Sequence, residues 1–188
     1  MQVSPRALIT AIHGLLFGGF FLLAVFGVVV ELIRSAFASE TSELTNSGRF
    51  LASLYLWMTA FLAWAAVALG TYFVYPLYRA VPPPGTTDLA SFPQALLLAS
   101  NTTSGWHRLA MEWKEHIAWL TPIAATMFAY VMTRQRLAMR AHAQVRKAVA
   151  TFALVAFASA AIAAFFGAMI NKHAPVDGKS QIQLLKER

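Results

Sequence analysis

The sequence predicts an all-α integral membrane protein, a bundle of four helices that cross the bilayer. Of its 188 residues, 58% are hydrophobic and 12% are charged, whereas soluble domains average about 25% charged residues. Four apolar runs each reach the length of about 20 residues that is needed to cross the hydrocarbon core. They lack the alternating pattern of a membrane β-barrel. We therefore expect a single four-span membrane domain over residues 1–188.

The limits of the four spans follow from these apolar runs, which cover residues 7–33, 51–76, 113–133 and 148–170. The first run is longer than the hydrophobic region of a signal peptide, about 7–15 residues, so we expect it to remain as a helix. The fourth run is rich in alanine, which favours close helix packing. Between the second and third spans we expect a long outer loop over 77–112, with a short surface helix near 92–98.

Basic residues predict which side of the membrane each loop faces. The connection between the third and fourth spans carries five basic residues and no acidic one: Arg134, Arg136, Arg140, Arg146 and Lys147. By the positive-inside rule this connection is cytoplasmic, which places both termini in the periplasm. We expect a multi-pass protein of the cell's inner membrane. Because this topology explains the net charge of +7, nucleic-acid binding is not expected.

The absence of cysteine excludes disulfides, zinc-thiolate sites, iron–sulfur clusters and covalently attached c-type haem. Histidine, carboxylate and tyrosine chemistry remain. The topology gathers four of the five histidines at the outer end, namely His13, His107, His116 and His173, and leaves His142 in the inner loop. An imidazole in or near the membrane is costly without a partner, so the outer histidines indicate a functional site.

One chemistry for this cluster is a b-type haem held between axial imidazoles of two spans. His13 and His116 are the best candidates because each lies a few residues inside the outer end of its span, at a similar depth. His173, just after the fourth span, is the substitute ligand. Gly14 and Gly18 follow His13 and leave room for a flat ring or for a neighbouring helix.

Two other chemistries remain open. In a quinol site, a histidine and a carboxylate take protons as electrons leave, and Glu112, Glu115 and Tyr75 are the candidates beside His116. A metal site would combine Glu112 and His116, four residues apart on one helical face, with His107 or His13.

Apart from Glu115 at the start of the third span, Glu31 is the only acidic residue within the predicted spans. It is 18 residues after His13, five turns of the same helix, so both residues are expected on one face. Glu31 is either a proton uptake point or the edge of a second cofactor on the cytoplasmic side, or it is the partner of Arg34, one turn away.

The arrangement resembles small four-helix b-type cytochromes that anchor oxidoreductases in the membrane and exchange electrons with quinones. The resemblance rests on the four spans and on His13 with His116 or His173. It implies a subunit of a larger respiratory or photosynthetic complex that relays electrons between a periplasmic partner and the quinone pool through one outer haem b. Partner subunits would then carry out the substrate chemistry, and this chain would not be an independent enzyme.

The alternative comes from a different class of protein, a structural membrane subunit without a cofactor. In that case the spans only brace a larger complex or hold lipid. Its histidines would then contact backbone carbonyls or partner chains.

Overall fold

The structure is a computed structural model that describes residues 5–37 and 46–175. Six helices make up the regular structure of these ranges: α1 (5–37), α2 (Asn46–Tyr78), α3 (Pro93–Leu98), α4 (Asn101–Arg134), α5 (Arg136–Ala141) and α6 (Ala143–His173). Helices α1, α2, α4 and α6 are long and apolar enough to cross a membrane. The predicted bundle of four spans is therefore confirmed.

Helix α4 begins twelve residues earlier than the predicted third span, at Asn101 instead of residue 113. Ser100 caps this helix, because its hydroxyl accepts a hydrogen bond from the backbone N–H of Thr102 at 3.3 Å. The added turns bury Ala110 and Met111 in a cluster with residues near the end of α6. The connection between α2 and α4 is consequently shorter than the predicted loop and covers residues 79–100.

Within this connection, α3 forms close to the position predicted for a short helix. It begins at Pro93, and proline is well suited to the first turn because its fixed φ angle is helical and no N–H is needed there. Leu97 is fully buried and belongs to the same cluster as Ala110 and Met111. Helix α3 is thus fastened to the bundle by apolar packing.

Small residues bring α4 and α6 together, and these two helices share the most extensive contact of the bundle. Ala125 and Ala129 of α4 and Ala153 and Ala156 of α6 are all fully buried in the central core. Because an alanine side chain extends little beyond the backbone, the two helices can approach closely. The packing predicted for the alanine-rich fourth span is confirmed.

The outward faces of the long helices carry large apolar side chains. On α1, Leu15 is 77% exposed and Leu23 is 70% exposed. Large apolar side chains are also exposed on the other three long helices. A soluble protein would bury such surfaces. In this chain they form an apolar outer surface that suits a lipid environment.

Hydroxyl groups join α4 to α6 inside the bundle. The Ser159 hydroxyl donates to the Val155 carbonyl at 2.8 Å and lies 2.6 Å from the Thr121 hydroxyl. Because the Ser159 proton is used in the first contact, the Thr121 hydroxyl is the donor in the second. The indole N–H of Trp113 also donates to the Ser159 carbonyl, at 3.1 Å. These contacts satisfy polar groups that have no water available in an apolar interior.

Pro122 interrupts the backbone hydrogen bonding of α4, as expected from its missing N–H. An α-helix would direct the N–H of residue 122 to the carbonyl of Ala118. That carbonyl instead accepts the N–H of Thr121 at 3.1 Å. The interruption is thus satisfied within the helix itself.

Three of the four long helices widen into π-helical turns at one end of the bundle. These turns are Ile12–Gly19 in α1, Gly70–Val74 in α2 and Trp113–Ile117 in α4. We call this end, where α1 and α4 begin and α2 and α6 finish, the histidine end. A π turn holds an extra residue and often marks a functional position in a helix.

Glu31 lies on α1 towards the opposite end, and its side chain is exposed. The side chain of Arg34, its expected partner, lies outside the described part of the chain. The Glu31–Arg34 pair therefore stays a prediction.

We predict that Thr121 and Ser159 are energetically coupled. In membrane helices an interhelical hydrogen bond contributes on the order of 0.6–1.7 kcal/mol. Thr121→Val and Ser159→Ala should each lower the free energy of unfolding by about that amount, and the double variant should lose less than the sum of the two. Unfolding of the purified protein in mixed micelles measures these changes.

Thr151→Val is the matched control, because the exposed Thr151 hydroxyl donates to the Lys147 carbonyl of its own helix. It should change stability less than either core variant. Strictly additive losses for Thr121→Val and Ser159→Ala would show that the two hydroxyls do not stabilise the bundle together.

Candidate functional site

His13 lies between α1 and α2, where its ring is fixed by a backbone contact. Its Nδ1 atom is 2.8 Å from the carbonyl oxygen of Ala66. Because a carbonyl only accepts, Nδ1 must carry the proton, which leaves Nε2 as an acceptor. Gly70 provides the space for the ring, since a Cβ at that position would lie 2.6 Å from Cε1 of His13.

The glycines that the sequence suggested as ring-packing positions do not face a neighbouring helix. Gly14 is exposed, and a Cβ there would meet no atom within 4 Å. A Cβ at Gly18 would meet the carbonyl oxygen of His13 in its own helix at 3.3 Å. The clearance beside the imidazole comes from Gly70, on the facing helix.

Lys114 is a residue that the sequence interpretation did not single out. It belongs to the π turn of α4, and its side chain is partly buried between helices. The ammonium nitrogen would lie 3.2 Å from a Cβ at Gly167 of α6, and it is close enough to His13 to interact with that ring electrostatically. Gly70 on α2 and Gly167 on α6 thus leave space for the side chains of His13 and Lys114, respectively.

Helical spacing could have identified Lys114 as an interior residue. Met111, Ala118 and Thr121 are buried, and Lys114 is three residues after the first and four before the second. Residues three or four apart share a helical face. The spacing therefore puts Lys114 on the buried stripe of α4.

His116 points away from this interior. It is two residues after Lys114, a rotation of about 200° around a helix, and its side chain is 65% exposed. Its Nδ1 atom lies 3.1 Å from the Glu112 carbonyl oxygen and 3.5 Å from the Glu112 carboxylate. Glu112 and His116 do share one face, as predicted, but the described contacts of His116 stay on α4 and none reaches His13.

Tyr75 and Glu115, predicted separately as quinone or proton residues, meet at the histidine end. The Tyr75 hydroxyl donates to Oε1 of Glu115 at 2.5 Å, and the Arg79 guanidinium donates to the Tyr75 oxygen at 2.6 Å. The guanidinium also lies 5.1 Å from the centre of the Tyr75 ring. A carboxylate, a phenol and a cation thereby form one hydrogen-bonded network between α2 and α4.

The remaining outer histidines contact aromatic side chains. Nδ1 of His107 is 2.6 Å from the Tyr78 hydroxyl, and the ring of His173 stacks on Trp106 with centroids 6.1 Å apart. His142 is exposed at the opposite end, beside the start of α6. Across residues 5–37 and 46–175, no three histidine or carboxylate side chains are grouped to hold a metal ion, so the metal-site hypothesis gains no support.

Comparisons with models of known protein families, with curated proteins and with solved structures find no match. The function must therefore be argued from the geometry of the histidine end.

We predict that Gly70→Ala destabilises the protein, because the new methyl group would overlap the His13 ring. Overpacking of this kind typically costs about 1–3 kcal/mol. Gly105→Ala on α4 is the control, since a Cβ there meets no atom within 4 Å and alanine favours a helix over glycine. Thermal unfolding in detergent should show a lower Tm for the first variant and an equal or higher Tm for the second. Equal Tm values for Gly70→Ala and the parent chain would contradict the position of His13.

Proposed function

We propose that this chain is the membrane subunit of an electron-transfer complex, which exchanges electrons with membrane quinones at its histidine end and carries one haem b there. The observation that carries the proposal is the contact of Tyr75 with Glu115 and Arg79. Tyr75 and Glu115 come from two helices, Arg79 directly follows the end of α2, and the three side chains meet at the edge of an apolar bundle. A quinol that loses electrons must also release protons, and such groups accept and pass on protons.

Each member of this network has a distinct role in the proposal. The exposed Glu115 carboxylate accepts a proton and can release it to water. The Tyr75 hydroxyl is held between that carboxylate and the Arg79 guanidinium. It can therefore donate a proton to the carboxylate while it accepts a hydrogen bond from the guanidinium. Arg79 fixes the phenol and compensates negative charge on the network.

His13 is the residue we assign to the haem. A metal-binding histidine typically donates its other ring N–H to a carbonyl or carboxylate, which fixes the tautomer and the ring orientation. The Nδ1 contact of His13 with Ala66 has that form. His116 and His173 are the candidates for a second ligand, although in the structure the first faces outward and the second stacks on Trp106. When bound, the haem would supply one-electron transfer between quinone and a partner protein, such as a periplasmic redox subunit.

A visible spectrum of the purified chain tests the haem assignment. We expect reduced-minus-oxidised bands of haem b, and we expect His13→Ala to lose them because Nε2 is the proposed iron ligand. His142→Ala, at the opposite end, should keep them. A folded, assembled protein without haem bands would refute this part of the proposal.

Changes in the Tyr75 network should slow quinol oxidation without unfolding the bundle. Proton transfer by a positioned side chain typically contributes about 10²–10⁴-fold to a rate, so Tyr75→Phe and Glu115→Gln should each slow haem reduction by decylubiquinol at least roughly tenfold. Tyr72→Phe is the control, because Tyr72 is exposed one turn away. Stopped-flow absorbance in nanodiscs measures the rate, and an unchanged rate in both variants would exclude the network from proton transfer.

A second candidate function is a structural subunit without a cofactor. Two contacts favour it: His13 and His116 each bond a backbone carbonyl, those of Ala66 and Glu112. Satisfied imidazoles of this kind can stabilise helix packing without binding any metal. This candidate predicts a colourless protein in which His13→Ala lowers the Tm.

A further inference from the structure

The end of the bundle opposite the histidine end has no role in the proposed function, although it concentrates positive charge. Helices α2 and α6 begin there and α4 ends there. We call it the basic end, after its five described basic side chains: Arg49, Arg134, Arg136, Arg146 and Lys147. The described acidic side chain towards this end is Glu31 of α1. The excess of cations gives the basic end a positive potential, which attracts anions.

Arg136 connects α5 to the start of α2 through its guanidinium group. Its Nη2 atom donates to the Ser53 hydroxyl at 3.0 Å and to the Arg49 carbonyl at 3.4 Å. Both partners are neutral oxygen atoms, so these contacts orient the cation without neutralising its charge. A guanidinium carries N–H donors on all three of its nitrogens, and the two contacts occupy one nitrogen.

Arg49 lies beside this guanidinium, because its own backbone carbonyl is one of the two acceptors. Its side chain is exposed, and its guanidinium donates to the side-chain oxygen of Asn46, which is again a neutral group. Two arginines that are 87 residues apart in the sequence are thus brought into contact by the fold. Their like charges repel each other, so an anion that binds both would stabilise the arrangement.

Large apolar side chains border this pair of arginines. Leu137, the residue after Arg136, is 81% exposed, and Phe50, the residue after Arg49, is 67% exposed. Phe50 belongs to a helix that is long and apolar enough to cross a membrane. The arginines therefore lie where a polar surface meets an apolar one. A ligand that fits this boundary needs an anionic group and an apolar body in one molecule.

We propose that Arg49 and Arg136 bind the phosphate group of an anionic phospholipid, whose acyl chains lie against Phe50 and Leu137. The proposal is independent of the electron-transfer function proposed above. Arginine suits this ligand because its planar set of donors can bind two phosphate oxygens at once. Basic side chains at the ends of membrane helices are a recurring form of site for anionic lipid head groups.

The observations favour a lipid over an acidic segment of a partner protein. An acidic peptide would pair with the cations, but it would leave the apolar side chains of Phe50 and Leu137 exposed to water. A phospholipid complements both kinds of surface. The exposed carboxylates of Glu112 and Glu115 lie at the histidine end and would repel the same head group, so we expect the lipid to bind at the basic end.

Lipid binding to the purified full chain tests the proposal. Dioleoyl-phosphatidylglycerol is titrated into the protein in detergent, and native mass spectrometry measures the Kd of the first bound lipid. Loss of a hydrogen bond between charged groups corresponds to about a tenfold change in affinity or more, so Arg49→Gln and Arg136→Gln should each raise the Kd at least roughly tenfold. Dioleoyl-phosphatidylcholine, which has no net charge, should bind the parent chain more weakly and should bind both variants as it binds the parent.

Two control variants remove one positive charge from another position. Arg108→Gln changes an exposed arginine of α4 at the histidine end and should leave the Kd unchanged. Lys147→Gln changes an exposed lysine at the basic end and should raise the Kd less than either arginine variant. If Arg136→Gln fails to fold, Arg49→Gln provides the same comparison, because the Arg49 guanidinium contacts Asn46 of its own helix.

Equal binding of phosphatidylglycerol and phosphatidylcholine by the parent chain would overturn the inference, because the anionic head group would then not be recognised. An equal loss in Lys147→Gln or Arg108→Gln would assign the attraction to overall charge and not to the arginine pair. Displacement of the lipid by an equimolar amount of inorganic phosphate would assign the arginines to a free anion. A glutamate-rich peptide that binds more tightly than the lipid, and loses its binding in Arg136→Gln, would assign them to an acidic partner.

Discussion

The histidine end depends on one constraint, which is that a nitrogen-bearing side chain inside an apolar bundle needs both space and a partner. His13 has both, since Gly70 leaves the space and the Ala66 carbonyl accepts its proton. Lys114 has the space beside Gly167. The Nε2 atom of His13, which is left as an acceptor, is the reason to seek a ligand at this end of the bundle.

The π turns connect this constraint to the backbone. Each of the three lies on a different helix, and they contain His13, Gly70 and Lys114 respectively. A π turn adds a residue without ending the helix, so it locally widens the helix and changes which side chains face a neighbour. Because the π turns contain the partly buried side chains of His13 and Lys114, and also Gly70, which leaves space for the His13 ring, the irregular backbone coincides with the site.

Much of the fold follows from the amino-acid sequence, because about 20 apolar residues in succession have one stable arrangement in a membrane. The start of α4 could not be found in this way. Residues 101–112 are too polar to resemble a span, and they are helical because Ala110 and Met111 pack on α6. Burial against a distant segment is a tertiary effect that local composition does not record.

The site was predicted only in part, for a similar reason. Tyr75 and Glu115 were selected for their chemistry and their position near a membrane surface, and they do meet. His13 was paired with His116 from their depth in the membrane alone. Which neighbour a side chain faces also depends on its angle around the helix axis. Lys114 lies on the buried stripe and His116 does not, which a count of helical positions along α4 could have indicated.

The most direct measurement is a density map of the purified chain in a lipid nanodisc, at a resolution that shows side chains and with a quinone present. The account predicts density for a quinone ring beside the Tyr75 hydroxyl and for a haem at Nε2 of His13, with Nδ1 of His13 still turned towards Ala66. A map in which protein or lipid alone fills the space beside Tyr75 and beside Nε2 of His13 would contradict it.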